Sequence, residues 1–393
     1  MAGCFVLMIV MGLLASSYGP LLPLIRTGFA VSAVETGLLV SALPAGATVA
    51  IIACARLQQQ ISTRLLLQAG AAFLLLGQAL LALAPSWWLL VVGSLCVGVG
   101  YGASTTLANG VIAAAYPVRR GTFLLNLQNG LFGVGAVLGP ICVAVLPDGS
   151  GRLAWLGYAG LAALAAALLN ALPSNALASP GRVLAPGATE GPSSRAWSWR
   201  LAGFAVLFAC LVAVEISTGA WATTHLDSVG ASSTAVALAT SLFYLGLAIG
   251  RLGAAAIGLR VDPGPLLVAA TITGVAMLGL TYLTPLGGVA YVLVGMAIGP
   301  VFPTGLAWVS SDQAHAGHPI AVVLIAGNLG GMILPPIVGA VIGGIGAGAA
   351  PIPIAITCAA GAVIAVVLAR GTDEAVDRPV EPGPIHRQSP TAC

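Results

Sequence analysis

The sequence has 393 residues, of which 59% are hydrophobic and only 6% are charged. A soluble domain has about 25% charged residues, so this chain lacks the polar surface that would keep it in water. Its formal net charge of +3 is too small to indicate a nucleic-acid partner. Apolar runs recur along the chain instead, and each is long enough for a helix that crosses a lipid bilayer.

Twelve such runs predict an all-α polytopic membrane protein with twelve transmembrane helices. The first run has no basic leader and is too long for the apolar core of a signal peptide, so we expect it to be the first span. In chain order the spans cover roughly residues 3–25, 36–56, 65–84, 88–112, 121–146, 154–171, 201–225, 234–257, 265–283, 287–309, 320–343 and 350–369.

The longest connection between spans covers residues 172–200, which are rich in Pro, Ser, Gly and Arg and show no apolar periodicity. That composition is typical of a linker. We therefore expect an N-terminal six-helix bundle over 1–171 and a C-terminal six-helix bundle over 201–370. Residues 371–393 are charged and contain proline, and we expect them to form a disordered tail.

The distribution of arginine predicts the orientation of the chain. All 14 basic residues are arginines, and with alternating spans only Arg26 and Arg152 fall on the side opposite to the rest. The positive-inside rule then places both termini and the 172–200 linker in the cytoplasm, with the spans in the cell (inner or plasma) membrane.

The two halves of the chain also resemble each other. The fifth span contains Gly135–Val145, which matches Gly331–Val341 of the eleventh span. The fourth span contains Gly98–Gly102, which lies at nearly the same offset as Gly295–Gly299 of the tenth. Two six-helix halves in the same orientation are a parallel repeat, as found in transporters whose halves rock against each other.

Glu215 is the only acidic residue well inside an apolar span. A lipid-facing carboxylate costs about 3 kcal/mol or more, so this one must face protein or water. Burial favours the protonated form of a carboxyl group, which predicts a proton carrier. The alternative is a protonated structural acid that donates a hydrogen bond to a neighbouring helix.

Three further residues of interest lie on the same seventh span. Thr218 shares the face of Glu215 at helical spacing. Trp221 would reach a central cavity if the helix unwound near Gly219, and would otherwise be a tryptophan of the membrane–water interface. We expect His225 at the outer membrane boundary, as a solvated interfacial histidine or, alternatively, a titrating gate.

Neutral polar side chains supply the remaining candidates for substrate binding. Side-chain amides in a bilayer must find hydrogen-bond partners, so they face either a ligand or another helix. The candidates are Tyr18, Thr105, Asn109, Asn126, Gln128, Asn129, Tyr244 and Asn328. A metal site is not expected, because His315 and His318 have only Asp312 nearby; no cofactor is expected either.

The arrangement of six plus six helices around a linker resembles the major facilitator superfamily. Three stretches resemble its fucose–proton symporter family: Glu215–Leu226 (EISTGAWATTHL), Gly299–Thr304 (GPVFPT), and Arg120 followed by Leu125–Pro140 (LNLQNGLFGVGAVLGP). The resemblance implies the major facilitator fold, alternating access, protons and a small sugar-like solute as partners, and a monomer. By position in the family, it favours substrate binding for Asn126 and Asn129.

The superfamily resemblance also implies a gating role for three residues at the end of the eighth span. Arg251, followed by Gly258–Asp262, is similar to the second gating signature of the superfamily, which includes Arg260 and Asp262. It implies an ion pair between the two halves, or a contact at a helix end, in the outward-facing state. The alternative is an arginine that only obeys the positive-inside rule.

The chain also departs from the sugar–proton symporters, which carry acidic residues on the first and fourth helices. Here those positions hold Ser16, Ser17 and Tyr18 on the first span and Thr105 on the fourth. The alternative function is therefore efflux of a drug or metabolite by proton antiport. A membrane enzyme is not expected, because the spans contain one acid and no histidine near their middle.

Overall fold

The computed structural model describes residues 2–116, 118–146, 151–170, 199–257, 261–283, 287–312 and 319–376. Within these ranges the chain forms helices and no strand. The helices are α1 (Ala2–Phe29), α2 (Ala33–Leu57), α3 (Thr63–Leu83), α4 (Trp87–Ala115), α5 (Val118–Val145), α6 (Gly151–Asn170), α7 (Trp199–Ser228), α8 (Ser233–Ile257), α9 (Pro263–Leu280), α10 (Gly287–Ile298), α11 (Val301–Asp312), α12 (Pro319–Ile345) and α13 (Pro351–Val376). A short 3₁₀ helix, Ala347–Ala349, precedes α13.

The prediction of twelve membrane-spanning helices is confirmed, because twelve helical segments are long and apolar enough to cross a bilayer. The tenth span consists of α10 and α11, which are separated at Gly299 and Pro300. Proline has no backbone N–H, so Pro300 and Pro303 cannot donate helical hydrogen bonds at this point. The predicted 172–200 linker lies almost entirely outside the described residues, as does most of the predicted tail.

Within each half, glycines bring the second and fourth spans into close contact. In the N-terminal half, Gly98 of α4 lies against the Leu43 carbonyl of α2. In the C-terminal half, Gly295 of α10 lies in the same way against the Phe243 carbonyl of α8. A side chain at either glycine would overlap the neighbouring backbone, so small residues set these helix separations. The second and fourth spans of each half therefore pack by the same device.

The two halves meet mainly along three pairs of helices, α1 with α7, α2 with α12, and α5 with α8. We call the side of the membrane at which α1 begins, at Ala2, the terminal side, and we call the opposite side the far side. Ser41 donates a hydrogen bond of 2.6 Å to the Met332 carbonyl, and Ser241 donates one of 2.8 Å to the Val137 carbonyl. Ser41, Val137 and Ser241 lie in the far-side halves of their helices, and Met332 lies at the middle of α12. Closer to the far side, Gly339 of α12 lies against the Ala33 carbonyl of α2, so the halves are sealed on the far side.

Toward the terminal side, α5 and α8 diverge. Gly133 and Gly130 lie one and two turns from Val137 on the same face of α5, and both border open space. On α8, exposure rises from Ser241, which is 4% exposed, to Leu252, which is 75% exposed. The central region between the halves is therefore approached from the terminal side.

At the terminal side, an ion pair connects helices of the C-terminal half. Arg200, at the start of α7, makes a two-pronged salt bridge with Asp312, at the end of α11. The same guanidinium donates a hydrogen bond of 3.1 Å to the Leu368 carbonyl of α13. One arginine thus joins three helices of this half.

Candidate functional site

The centre of the site is an ion pair between α7 and α8. Nη2 of Arg251 lies 3.1 Å from Oε1 and 3.2 Å from Oε2 of Glu215. The Arg251 side chain is 29% exposed and the Glu215 side chain 23% exposed, so both are half-buried. Glu215 lies near the middle of α7, whereas Arg251 lies two turns from the terminal-side end of α8 and extends its long side chain toward the middle of the membrane.

Two tyrosines flank this pair, one from each half. Tyr244 of α8 places its hydroxyl beside Gly219, where a side chain on α7 would overlap it. Tyr101 of α4 lies within electrostatic reach of both Glu215 and Arg251. Tyr101 is therefore a residue of the N-terminal half that faces the ion pair.

Tyr101 was missed by the sequence analysis. It belongs to the glycine-rich stretch Gly98–Gly102, which the sequence analysis used only as evidence for the internal repeat. The ring of Tyr101 packs edge-on against Phe132 of α5, with 6.3 Å between the ring centroids. Its one-turn spacing from the candidate Thr105 is the signal that could have identified it.

The predicted amide candidates of the N-terminal half mostly bind one another or their own helix. Nε2 of Gln128 donates a hydrogen bond of 2.7 Å to Oδ1 of Asn109, and Gln128 is fully buried. Asn129 is exposed and donates to the Leu125 carbonyl of its own helix. This half of the site therefore presents Asn129 to the open side and uses Gln128 to join α5 to α4.

The other candidates of the N-terminal half form hydrogen bonds within this half or have side chains that are not described. Thr105 donates to the backbone carbonyls of its own helix. The hydroxyl of Tyr18 lies 2.8 Å from the Ser94 hydroxyl, and its ring packs against Trp155. Tyr18 is thus held inside the N-terminal half. The side chain of Asn126 lies outside the described part of the structure.

The candidates on α7 and α12 also serve the packing of the C-terminal half. Thr218 is buried and donates to the Val214 carbonyl one turn earlier. α7 does not unwind at Gly219, and Trp221 is only 2% exposed, so its ring neither enters the open region nor lies at a membrane surface. Asn328 of α12 is half-buried, next to the close approach of Gly330 to α7.

In this structure, which is open on the terminal side, the ionic partner of Arg251 is Glu215 of the same half and not a residue of the other half. The gating interpretation concerns the outward-facing state and stays a prediction. A carboxylate on the adjacent helix is close enough to compete with any more distant acid. Asp262 is exposed at the first turn of α9, where its side chain makes no capping hydrogen bond. Arg260 lies outside the described residues.

The prediction of a solvated His225 is wrong. The residue is fully buried, and its Nδ1 lies 3.0 Å from the hydroxyl of Tyr291 on α10. Its ring also meets the ring of Tyr282 edge-on, at a centroid distance of 5.6 Å. Hydrophobic patterning placed this residue at the end of a span, whereas tertiary packing of α10 covers it.

Several polar atoms on the far-side half of α7 are buried without a partner among the described residues. They belong to Ser217, Trp221, Thr224 and His225. Buried polar groups usually find partners, so four such side chains without one are unusual. They make this stretch of α7 polar although it is buried in the C-terminal half. Beside Glu215, a cavity of about 10 Å³ is bordered by Thr271, Phe302 and Cys358 and has room for about one water molecule.

The described residues contain no cluster of His, Cys, Asp or Glu that could hold a metal ion. The two histidines considered as metal ligands in the sequence, His315 and His318, lie outside the described residues. What the site offers is one carboxylate, one guanidinium and two phenol groups, which can exchange a proton and bind a polar solute by hydrogen bonds.

Comparison with known proteins adds to this geometry. The sequence profile described as Major Facilitator Superfamily matches residues 4–335. The sodium-dependent glucose transporter 1 of Danio rerio is 28% identical over 137 residues, which are 34% of this chain. That match spans only 23% of the length of the zebrafish protein.

Solved structures share the fold at low identity. A D-xylose–proton symporter has a TM-score of 0.75 at 15% identity, covering 93% of this chain and 96% of the other. A mutant of the nucleoside transporter NupG has a TM-score of 0.74 at 14% identity, covering 94% and 98%. The transporter FucP in its outward conformation has a TM-score of 0.63 at 19% identity, covering 93% and 98%.

Proposed function

The chain belongs to the major facilitator superfamily of membrane transporters, and on that premise we propose that it is a secondary transporter that couples solute movement to protons through Glu215. The observation that carries this proposal is the position of the Glu215–Arg251 pair. It lies near the middle of α7, faces Tyr101 of the other half, and is partly exposed. Intramembrane acids in such positions commonly mark ion or proton pathways.

In the proposed cycle, a proton and the solute enter from the far side while that side is open. Transfer of the proton to Glu215 neutralises the carboxylate and removes the ionic partner of Arg251. The far-side seal at Ser41 and Ser241 then closes as the terminal side opens, and the solute is released on the terminal side, where α5 and α8 diverge in this structure. This is alternating access, with the charge state of one ion pair as the coupling element.

We propose a small sugar-like solute as the substrate. The phenol groups of Tyr101 and Tyr244 and the amide of Asn129 can hydrogen-bond to hydroxyl groups. The named functions of two similar proteins, a glucose transporter and a D-xylose symporter, support the same class. Efflux of a drug or metabolite by proton antiport is the competing function, and it differs in the direction of solute movement relative to the proton.

We also propose a monomer in the cell (inner or plasma) membrane, organised as the sequence predicts. Both termini, the 172–200 linker and the 371–393 tail are placed in the cytoplasm, because twelve of the fourteen arginines then face inward. The bundles 1–171 and 201–370 are the two moving bodies. Under this orientation the terminal side is cytoplasmic, and the structure is open to the cytoplasm.

Transport by proteoliposomes tests the proposal. We expect a pH gradient, and not a sodium gradient, to drive accumulation of a labelled sugar panel that includes D-glucose and D-xylose. Glu215→Gln should abolish driven accumulation and preserve counterflow exchange, because it removes the titratable group and keeps its shape. Asp227→Asn, which neutralises an exposed acid on the same helix, is the matched control and should behave as the unmodified protein.

Two outcomes would contradict the proposal. Driven accumulation that survives in Glu215→Gln would refute the assignment of the proton to this residue. Sodium-driven accumulation that is indifferent to pH would refute proton coupling as a whole. Proton-driven expulsion of solutes from the lumen, with protons moving in the opposite direction, would establish antiport instead.

A further inference from the structure

We propose that the substrate carries one negative charge and is a small polyhydroxylated monocarboxylate, whose carboxylate binds Arg251 when Glu215 is protonated. This inference rests on the proposed function, because it takes Glu215 as the proton carrier. It goes further by naming the chemical group that distinguishes the substrate from a neutral sugar.

The hydrogen bonds of Arg251 leave part of its guanidinium group available. Only Nη2 binds Glu215. Nε is buried and has no partner within the described part of the chain. A guanidinium carries five N–H groups in a planar fork that matches a carboxylate in a two-pronged arrangement. Arg251 can therefore accept a second carboxylate in place of Glu215.

Charge balance favours an anionic substrate over a neutral one. The Glu215–Arg251 pair has no net charge when both groups are ionised. Protonation of Glu215 leaves the half-buried guanidinium uncompensated near the middle of the membrane, which is unfavourable. A neutral sugar would not compensate that charge, whereas a monoanion would. A proton and a monoanion therefore bind together more favourably than either binds alone.

The surrounding groups limit the substrate to a single charge. The titratable or charged groups that face Glu215 within the described residues are Arg251 and Tyr244 on α8, Tyr101 on α4 and Cys358 on α13. Arg251 is the only cation among them. A dianion would thus have one charge without a partner, while the two phenol groups are suited to the hydroxyl groups of a polyol chain.

Binding of a matched pair of probes to the purified protein tests this inference. D-gluconate and D-sorbitol share a six-carbon polyol chain and differ in one terminal group, a carboxylate or a hydroxymethyl. Thermal-shift titration measures binding, because a ligand of the folded state raises its apparent stability. We expect gluconate to bind better at about pH 5 than at about pH 8, because the inference links binding of the anion to uptake of a proton. Sorbitol should bind at least tenfold more weakly at the lower pH.

Variants of the ion pair sharpen the test. Glu215→Gln should bind gluconate roughly tenfold more tightly than the unmodified protein at about pH 8, because no carboxylate competes for Arg251. The pH dependence should also disappear. Glu215→Gln/Arg251→Gln should lose gluconate binding, although it buries no unpaired charge. Asp227→Asn should retain the pH dependence of the unmodified protein. The pH titration of the unmodified protein decides the matter even if a variant does not fold.

The inference is overturned if sorbitol binds as well as gluconate, or if neither binds at either pH. It is also overturned if gluconate binding is unchanged in the double variant. These failures are distinct from failure of the proposed function. Proton-driven uptake of neutral sugars that requires Glu215 would preserve the proposed function and refute the anionic substrate, whereas gluconate uptake that ignores both the pH gradient and Glu215→Gln would refute the proton assignment.

Discussion

Arg251 and Glu215 form an ion pair within one half of the molecule, with Nη2 of the arginine 3.1 Å and 3.2 Å from the two carboxylate oxygens. The pair reconciles an acidic residue with a position deep in an apolar helix. The guanidinium offsets the free-energy cost of a carboxylate at this depth. The same contact makes each residue dependent on the other, and this dependence is measurable.

Arg251→Gln should be less stable than the double variant Glu215→Gln/Arg251→Gln at about pH 8. The single change leaves a half-buried carboxylate without its partner, whereas the double change leaves no charge. Because both side chains are partly exposed, we expect a difference of roughly 1–2 kcal/mol in unfolding free energy. Unfolding in detergent, followed by fluorescence, measures it. Equal stability of the two variants would show that the ion pair does not stabilise the folded state.

Gly19→Val should shift the protein away from the conformation that is closed on the far side. Gly19 of α1 lies against the Gly219 carbonyl of α7 and the Thr240 hydroxyl, so a larger side chain cannot fit while the halves are sealed. Cysteines introduced at Ser241 and Val137, which are in contact across the seal, report closure by their cross-linking yield in a variant without native cysteines.

We expect that yield to fall several-fold in Gly19→Val. The matched control is Gly157→Val on α6, where an added side chain meets open space and the yield should be unchanged. An undiminished yield in Gly19→Val would mean that the far-side seal tolerates bulk at this position.

His225 should resist chemical modification in the folded protein. The imidazole is fully buried beneath Tyr282 and hydrogen-bonded to Tyr291, so an acylating reagent such as diethylpyrocarbonate has no access to it. Peptide mass spectrometry should find this residue unmodified in the native protein and modified after unfolding. Rapid modification of the native protein would support the interfacial position that the sequence alone predicted.

Asp312→Asn should destabilise the C-terminal half. It breaks the two-pronged salt bridge with Arg200 and leaves the guanidinium with its hydrogen bond to the Leu368 carbonyl. The side chains are 15% and 11% exposed, and we expect a loss of roughly 2 kcal/mol in unfolding free energy. Thermal unfolding in detergent measures the loss, and Asp227→Asn in the same assay is the control. A melting temperature equal to that of the control would show that the ion pair contributes little.

The architecture could be predicted from the sequence because it depends on the length and order of apolar runs. The twelve spans agree with the predicted ones to within a few residues, apart from the longer ends that fold beyond the apolar core. The break at Gly299 and Pro300 was also readable, since proline removes a backbone donor wherever it occurs. These features are local, so neighbouring residues determine them.

The partners of individual side chains could not be predicted in the same way. Gln128 and Asn109 are both amides on adjacent spans, and either could face a ligand. The relative rotation of α4 and α5, set by helix packing, brings them within 2.7 Å of each other. Tyr101 lies within the glycine-rich stretch Gly98–Gly102, and its orientation toward the ion pair is not evident from that stretch. The rotation of a helix about its axis depends on all of its neighbours, and hydrophobic periodicity is weak in a helix that is apolar on every side.

The sequence by itself determined that the chain spans a membrane twelve times, that its halves repeat, and that a single acid, Glu215, lies inside a span. Composition and run length suffice for this, because a bilayer accepts few other structures. Only the tertiary structure decided what that acid contacts. Arg251 lies 36 positions further along the chain, and only the antiparallel packing of α8 on α7 brings its guanidinium to the Glu215 carboxylate. Contacts of that kind depend on helix registers and rotations, for which no stretch of sequence carries the full information.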